Sequence, residues 1–419
     1  MSRVLSLILH SLASLRVTVA LMFLAIVLVF AGTLAQVEQG IWTVMGQYFR
    51  TFVAWIDLGI FVPRPWDPDV SVPFPGGFTL GGLLMANLLA AHTLHFRRNA
   101  RRIGVLVIHL GVVLLLLGEI VTALTATEAN MTIDEGSFAN YTEDPREAEL
   151  AIIDPAHPEA EPGEDRVVAI PQALLERETL IGHPPLPGDI PFTIRVDRFL
   201  PNSALFGQRE ARARGIDVDI DIDKMPLATR GIGTAVVVVP TPVVSGTEDQ
   251  TIDAPSAYIT LVGSDLQELG TWLVSVHLPN LVRPIPPQEV RVGERTFLIE
   301  LRFRRQYKPF RIHLIDFRHD RFTGTDIPRN FSSHIRLVNE AQHEDRQFLI
   351  SMNHPLRYDG ETFYQAAFKN DDRTTILQVV RNPGWLIPYV ACILVALGML
   401  IHFSSGLWRF LAEGASVRG

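Results

Sequence analysis

Four long apolar blocks interrupt a chain that otherwise alternates apolar and polar positions: 17–35, 78–96, 103–124 and 386–403. Crossing about 30 Å of hydrocarbon takes about 20 helical residues, so each block predicts a membrane span. The first also loosely resembles a cleaved signal peptide at Thr33-Leu34-Ala35, but its length and the second apolar stretch after it argue for an anchor. Between the first two blocks, Ile41, Val44, Met45, Tyr48, Phe49, Phe52, Trp55 and Ile56 recur at helical spacing, and Arg50 and Asp57 break the run. The pattern predicts an amphipathic helix over 41–62 lying on the membrane surface, with Trp42 and Trp55 at headgroup level. The alternative is a loop packed on the domain that follows. Pro63, Pro65, Pro68, Pro73 and Pro75 then enforce an extended path into the second block.

After residue 125 the period shortens to two. The stretches 192–196, 258–262, 272–276 and 297–301 alternate, and 235–239, 311–317, 334–338, 348–352, 362–368 and 375–380 are further strand candidates. Short strands at close spacing predict an antiparallel sandwich or barrel. Ranges 154–165 and 241–250 read as exposed loops, and 216–223 as an edge strand or an acidic loop. The expected fold is a membrane protein with four transmembrane helices and a large β-rich extracytoplasmic domain. Its expected units are 1–36 (first span), 37–77 (external loop with the interfacial helix), 78–124 (a two-span hairpin), 125–384 (the β-rich domain) and 385–419 (the last span and tail).

Charge sets the expected orientation. Arg97, Arg98, Arg101 and Arg102 fill the turn between spans two and three, Arg3 and Arg16 precede span one, and Arg409 and Arg418 follow span four. Four spans put all of these on one side, so both termini are expected in the cytoplasm and the β domain outside it. A net charge of -8 gives no basis for a nucleic-acid partner. The single cysteine, Cys392, lies in an apolar block and can form neither an internal disulfide nor a CxxC redox pair. The domain carries no GxSxG, HExxH, P-loop or glycine fingerprint, so no catalytic residues are assigned. His313, His319, His334, His343 and His354 are scattered through it and read as surface or hydrogen-bonded histidines.

The sharpest chemistry lies within the apolar blocks. His109 sits in Val107-Ile108-His109-Leu110-Gly111, where a polar ring is expensive unless paired or coordinated. His92 and His95 lie toward the arginine end of span two. Counting from the turn near Asn99, His92 and His109 differ in depth by about 5 Å, so they can face each other across antiparallel helices. Neutral imidazole is a natural axial ligand for haem iron, which makes His109 a candidate ligand and His92 and His95 secondary ones. The alternative for His109 is a packing hydrogen bond, for instance to Asn87 or a backbone carbonyl. Arg97, Arg98, Arg101 and Arg102 suit haem propionates, or they act only as the topology signal. Glu119 points roughly 80° away from His109 and lies near the outer interface, within reach of water.

Several ordered stretches resemble the ResB (CcsB) family of cytochrome c biogenesis proteins. They are Gly32-Thr33-Leu34-Ala35-Gln36, His109-Leu110-Gly111 with Gly118 and Ile133-Asp134-Glu135-Gly136, then Met352-Asn353-His354-Pro355-Leu356-Arg357-Tyr358-Asp359-Gly360 with Phe363-Tyr364-Gln365-Ala366-Ala367-Phe368, and last Asn382-Pro383-Gly384 with Gly398. Family members often carry Asp where Asn382 stands and Pro where Ala35 stands, which marks this chain as divergent. The resemblance implies a non-catalytic subunit of the System II pathway that handles haem b with a CcsA (ResC) partner and serves the CxxCH of apocytochrome c. It implies His109 as one axial ligand, the second coming from a partner helix, and a place in the bacterial cytoplasmic membrane. A membrane-anchored scaffold that binds no cofactor is the competing expectation, as is haem held by His92 and His109 within this one chain.

Overall fold

The computed structural model describes residues 9–62, 70–95, 103–155, 165–177, 180–181, 189–207, 228–243, 252–280, 285–321, 328–369 and 373–416. Among them, four helices are long and apolar enough to cross a membrane. These are α1 (Leu15–Val44), α2 (Gly77–His95), α3 (Ile103–Thr125) and α4 (Ile387–Ser416). The expected loops at 154–165 and 241–250 fall mostly outside the described residues, and the edge strand or acidic loop expected at 216–223 falls wholly outside them.

The helices pack as two pairs. On α2, buried Asn87 accepts from the Thr18 hydroxyl at 2.8 Å, and its amide donates to the Leu12 carbonyl, which pins α2 to the start of α1. On α3, Gly104, Gly111 and Gly118 recur every seven residues, and α4 lies against that stripe. A Cβ at Gly104 would meet the Gly398 carbonyl oxygen at 2.8 Å, and one at Gly111 the Ala391 carbonyl oxygen at 2.8 Å. With no hydrophobic drive between helices in lipid, this close backbone approach supplies the packing.

Residues 41–62 depart from the expected amphipathic helix. Gly40 leaves helical geometry (φ 76°), the chain closes a π-helical turn at Met45–Phe49, and β1 (Val53–Asp57) then pairs antiparallel with β2 (Ser71–Pro75). Val53-Ala54-Trp55-Ile56-Asp57 alternates exposed and buried positions, so a strand period hides within the helical one. Pro73 and Pro75 fit because β2 is paired on one side only. Trp42 lies under the Arg146 guanidinium, 5.1 Å from ring centroid to Cζ, so one of the two expected headgroup tryptophans touches the β domain while staying exposed.

The β domain runs from β3 to β18 and is antiparallel throughout its named strands. Two long strands, β4 (Phe138–Asp154) and β13 (Arg295–Arg321), pass through two separate cores. In the first lobe their ends, with β5 (Arg166–Pro171) and β12 (Gln288–Val292), face a four-stranded sheet. That sheet is ordered β11-β10-β7-β6, with β6 (Leu180–Ile181), β7 (Phe192–Leu200), β10 (Ser256–Gly263) and β11 (Glu268–Ser275). Leu150, Ile152, Phe297 and Ile299 meet Phe192, Ile194, Ile259 and Trp272 there, as in a sandwich. Beside that sheet, β8 (Ser203–Gly207) pairs with β9 (Val236–Pro240).

The second lobe is barrel-like. Its path is β15-β14-β13-β4-β3-β18-β17-β16, using β3 (Thr127–Asp134), β14 (Pro328–Asn339), β15 (Glu344–Ser351), β16 (Leu356–Tyr358), β17 (Glu361–Lys369) and β18 (Thr374–Arg381). The end strands β15 and β16 are joined by a tight turn in which Ser351 and His354 exchange backbone hydrogen bonds at 3.2 and 3.0 Å. The sheet must therefore curl until its ends meet, and Met131, Ile133, Ile312, Leu337, Phe363 and Leu377 fill the inside. The Asn339 amide reaches the Tyr358 hydroxyl across the seam at 2.9 Å.

Stretches 297–301 and 311–317, expected as separate strands, are parts of β13. The charged run between them continues the strand: Arg302, Arg304 and Arg305 lie opposite Glu149, Asp144 and Glu143 of β4. Three of their contacts are ion pairs of 2.9–3.0 Å, so the charges stitch the strands at the waist between the lobes.

Candidate functional site

The glycine stripe sets how α3 is turned about its axis. Gly111 faces α4, and His109, two residues earlier, is rotated about 200° from it. His109 therefore points away from α4 toward α2, where His92 waits. His109 Nδ1 and His92 Nε2 lie 3.1 Å apart, with ring centroids 4.8 Å apart. Asn87, the other partner considered for His109, is engaged instead by Thr18 and the start of α1.

A 3.1 Å contact is a hydrogen bond between the two rings. It leaves no room for one metal between them, since two imidazole–metal bonds of about 2 Å each need the nitrogens about 4 Å apart. As arranged, the pair does not fit two-histidine ligation within this chain. It does fit one-histidine ligation. With the proton on His109 Nδ1 donated to His92 Nε2, His109 Nε2 is left unprotonated on the opposite ring edge. A second group that receives the other ring N–H is the usual device for orienting a ligating histidine and raising its basicity. His92 is then a positioning residue.

His95 ends α2, and its side chain lies outside the described residues, as do Arg97, Arg98, Arg101 and Arg102. Among the described residues, no cluster of three or more His, Cys, Asp or Glu is arranged to hold a metal ion. The domain histidines have packing partners: His319 lies 4.6 Å from the Phe368 ring and 4.7 Å from the Phe331 ring, and His354 stacks at 5.2 Å on Phe348.

At the β-domain end of the bundle, Glu119 meets Arg50 at 3.9 Å. The pattern along the chain gave no hint of this pair, because Arg50 registers only as a break in a helical run and its neighbour is 69 positions away. The π-helical turn carries Arg50 back over α3.

The quoted motifs occupy structural positions. Gly32 makes room for the Phe49 ring, which a Cβ would meet at 2.8 Å. Asp359 (φ 50°) and Gly360 (φ 74°) form the two-residue hairpin turn between β16 and β17, which requires left-handed backbone at both positions. Asn382 accepts from the Gly384 N–H at 2.9 Å and lies 3.5 Å from the Thr122 hydroxyl, so it ties the start of α4 to the end of α3.

Residues 289–376, from β12 into β18, match the ResB-like family. Over that stretch, about a fifth of its length, the chain is similar to the family. It is also 32% identical to Protein NrfI of Wolinella succinogenes over 102 residues, which are 24% of this chain and 11% of that one. The chain thus matches about a ninth of that relative's length. The family segment contains the barrel closure and the Asp359-Gly360 turn, and it contains neither histidine of the pair.

Proposed function

We propose that this chain is a ResB-like membrane subunit of a System II cytochrome c biogenesis complex, which assists haem export and haem attachment to apocytochrome c. The role in cytochrome c biogenesis rests on the family match and on the ordered motifs. The haem-handling role rests on one observation: a histidine pair joined at 3.1 Å inside an apolar helix bundle. A half-buried imidazole in the middle of an apolar helix is retained for a reason, and an axial bond to haem iron from His109 Nε2 supplies one. The second axial ligand comes from a CcsA/ResC-type partner, because His92 is committed to His109. Along the chain, the arginine run at 97–102 follows α2 directly, and its charge suits the propionates. Its arginines also favour the cytoplasmic side of the cytoplasmic membrane, which leaves the β domain outside. There the domain offers the extended CxxCH segment a sheet edge for strand addition.

The deciding measurement is the visible spectrum of the complex copurified with its partner. His109→Ala is expected to abolish a b-type absorbance. His92→Ala is expected to keep its form and lower haem affinity about 10–100-fold, as loss of an orienting partner does. An unchanged His109→Ala spectrum would falsify the ligand assignment. Low-spin haem in the isolated chain, lost equally in both variants, would favour ligation by the pair itself. A complex that carries no haem would favour the cofactor-free scaffold. Crosslinking of a CxxCH peptide tests the strand-addition step, and labelling confined to the partner subunit counts against it.

A further inference from the structure

Helices α2 and α3 meet through the histidines at one end and diverge toward the β domain, since α2 follows α1 and α3 follows α4. The divergence leaves a cavity of about 730 Å³, lined chiefly by Met45, Phe49, Phe52, Phe78, Met85 and Leu116. Its wall is built, not incidental. A Cβ at Gly76 would meet the Thr51 carbonyl oxygen at 2.3 Å, and one at Gly77 the Phe49 carbonyl oxygen at 2.2 Å, so glycine lets the loop seat directly on the start of α2. The Thr79 hydroxyl donates to the Phe52 carbonyl at 2.7 Å, and the Phe52 and Phe78 rings lie 5.7 Å apart. Gly81 and Gly82 form an open side, where an added Cβ meets nothing within 4 Å. Arg50 and Glu119 also line the cavity and are its charged groups.

The volume falls in the range of small-molecule sites, and the two methionines can adapt to an irregular ligand. Three phenylalanine rings favour a flat ring that stacks or meets them edge-on. The two charges select against a charged head group. An anion drawn to Arg50 meets Glu119, and a cation drawn to Glu119 meets Arg50. A neutral ring with two opposed oxygens suits them: one oxygen, carbonyl or hydroxyl, accepts from the Arg50 guanidinium, and in the dihydroxy form the other donates to the Glu119 carboxylate. An apolar tail continues into the lipid between the diverging helices.

We propose that this cavity binds an isoprenoid quinone or quinol, with its ring among Phe49, Phe52 and Phe78 and its oxygens at Arg50 and Glu119. The site is distinct from the histidine pair. Glu119 lies ten residues from His109 along α3, about 15 Å, so the proposal stands whether or not haem binds.

The full chain in phosphatidylcholine nanodiscs, titrated with decylubiquinone against empty nanodiscs, tests it. One saturable site per chain is expected. Gly81→Leu and Gly82→Leu, which fill the cavity without a backbone clash, are each expected to weaken binding at least tenfold with an unchanged melting midpoint. Arg50→Met is expected to weaken it several-fold, and His109→Ala to leave it unchanged. Uptake no greater than by empty nanodiscs overturns the proposal, as does undiminished binding in both leucine variants. Displacement of the quinone by an equal concentration of phosphatidylglycerol also overturns it, and assigns the cavity to lipid.

Discussion

Glu300 shows how one residue's burden can be read from its neighbours. At the waist of the β domain, Arg302 and Arg305 face Glu143, Glu149 and Glu300, three carboxylates for two guanidiniums. Glu149 takes Arg302 at 3.0 Å and Glu143 takes Arg305 at 2.9 Å, while Glu300 is left at 3.8 Å from Arg302. Burial pushes the Glu300 carboxyl up from its ordinary value, and the pull of Arg305 and Arg302 offsets this only in part. A raised folded-state value means that the native state holds the proton more tightly than the unfolded chain. Stability is therefore greatest below the unfolded value of about 4.3 and falls as pH rises through the folded one. Glu300→Gln keeps the shape and balances the charges, so it is expected to raise the melting temperature at pH 7, with the gain shrinking toward pH 4. A lower melting temperature at pH 7 would show that the third carboxylate is needed. Arg302 has the opposite character. It and Glu149 are both buried, and Arg302→Met is expected to cost about 3–5 kcal/mol in denaturant unfolding, because Glu149 is left charged and alone.

At the scale of elements, α3 carries the most consequence. Its glycines at 104, 111 and 118 put α4 against one face and thereby aim His109 at α2 from another. A side chain at 111 therefore acts on the histidines through rotation and displacement of the helix. Gly111→Leu is expected to separate α3 from α4 and to break the His92–His109 contact. A nitroxide pair on cysteines placed at the exposed positions Leu117 and Leu397, in a Cys392→Ser background, reports this, and the distance between the labels is expected to lengthen with leucine at 111. An unchanged distance would show that the stripe does not set the packing. The segment 41–62 is the counter-case, in which a plausible helical period lost to a hairpin. Gly40 ends the helix, and the proline-rich strand β2 offers β1 a partner that no reading of 41–62 alone contains.

For the whole molecule, β4 and β13 belong to both cores, so neither lobe can lose its fold without disturbing strands of the other. Phe363→Ala in the barrel lobe is expected to cost about 3–5 kcal/mol. It should raise hydrogen exchange in β10 and β11 of the sandwich lobe as much as in β17. Exchange that rises in β17 alone would show that the lobes unfold independently. What the sequence determined by itself was whatever depends on local pattern: four apolar helices, an antiparallel β domain, the strands with clean alternation, and the matching depth of His92 and His109. Depth follows from counting residues along helices whose ends are marked by charge, so it needs no partner. What only the tertiary structure decided depends on residues far apart in the chain. The Arg302–Arg305 run could be placed inside a strand only once β4 supplied its carboxylates. The curl of the barrel needed β15 and β16 to be joined at its two ends. Arg50 and Glu119 became neighbours through the chain's reversal at the π-helical turn. Periodicity records which face of an element is buried, and the identity of what covers that face is set by long-range packing.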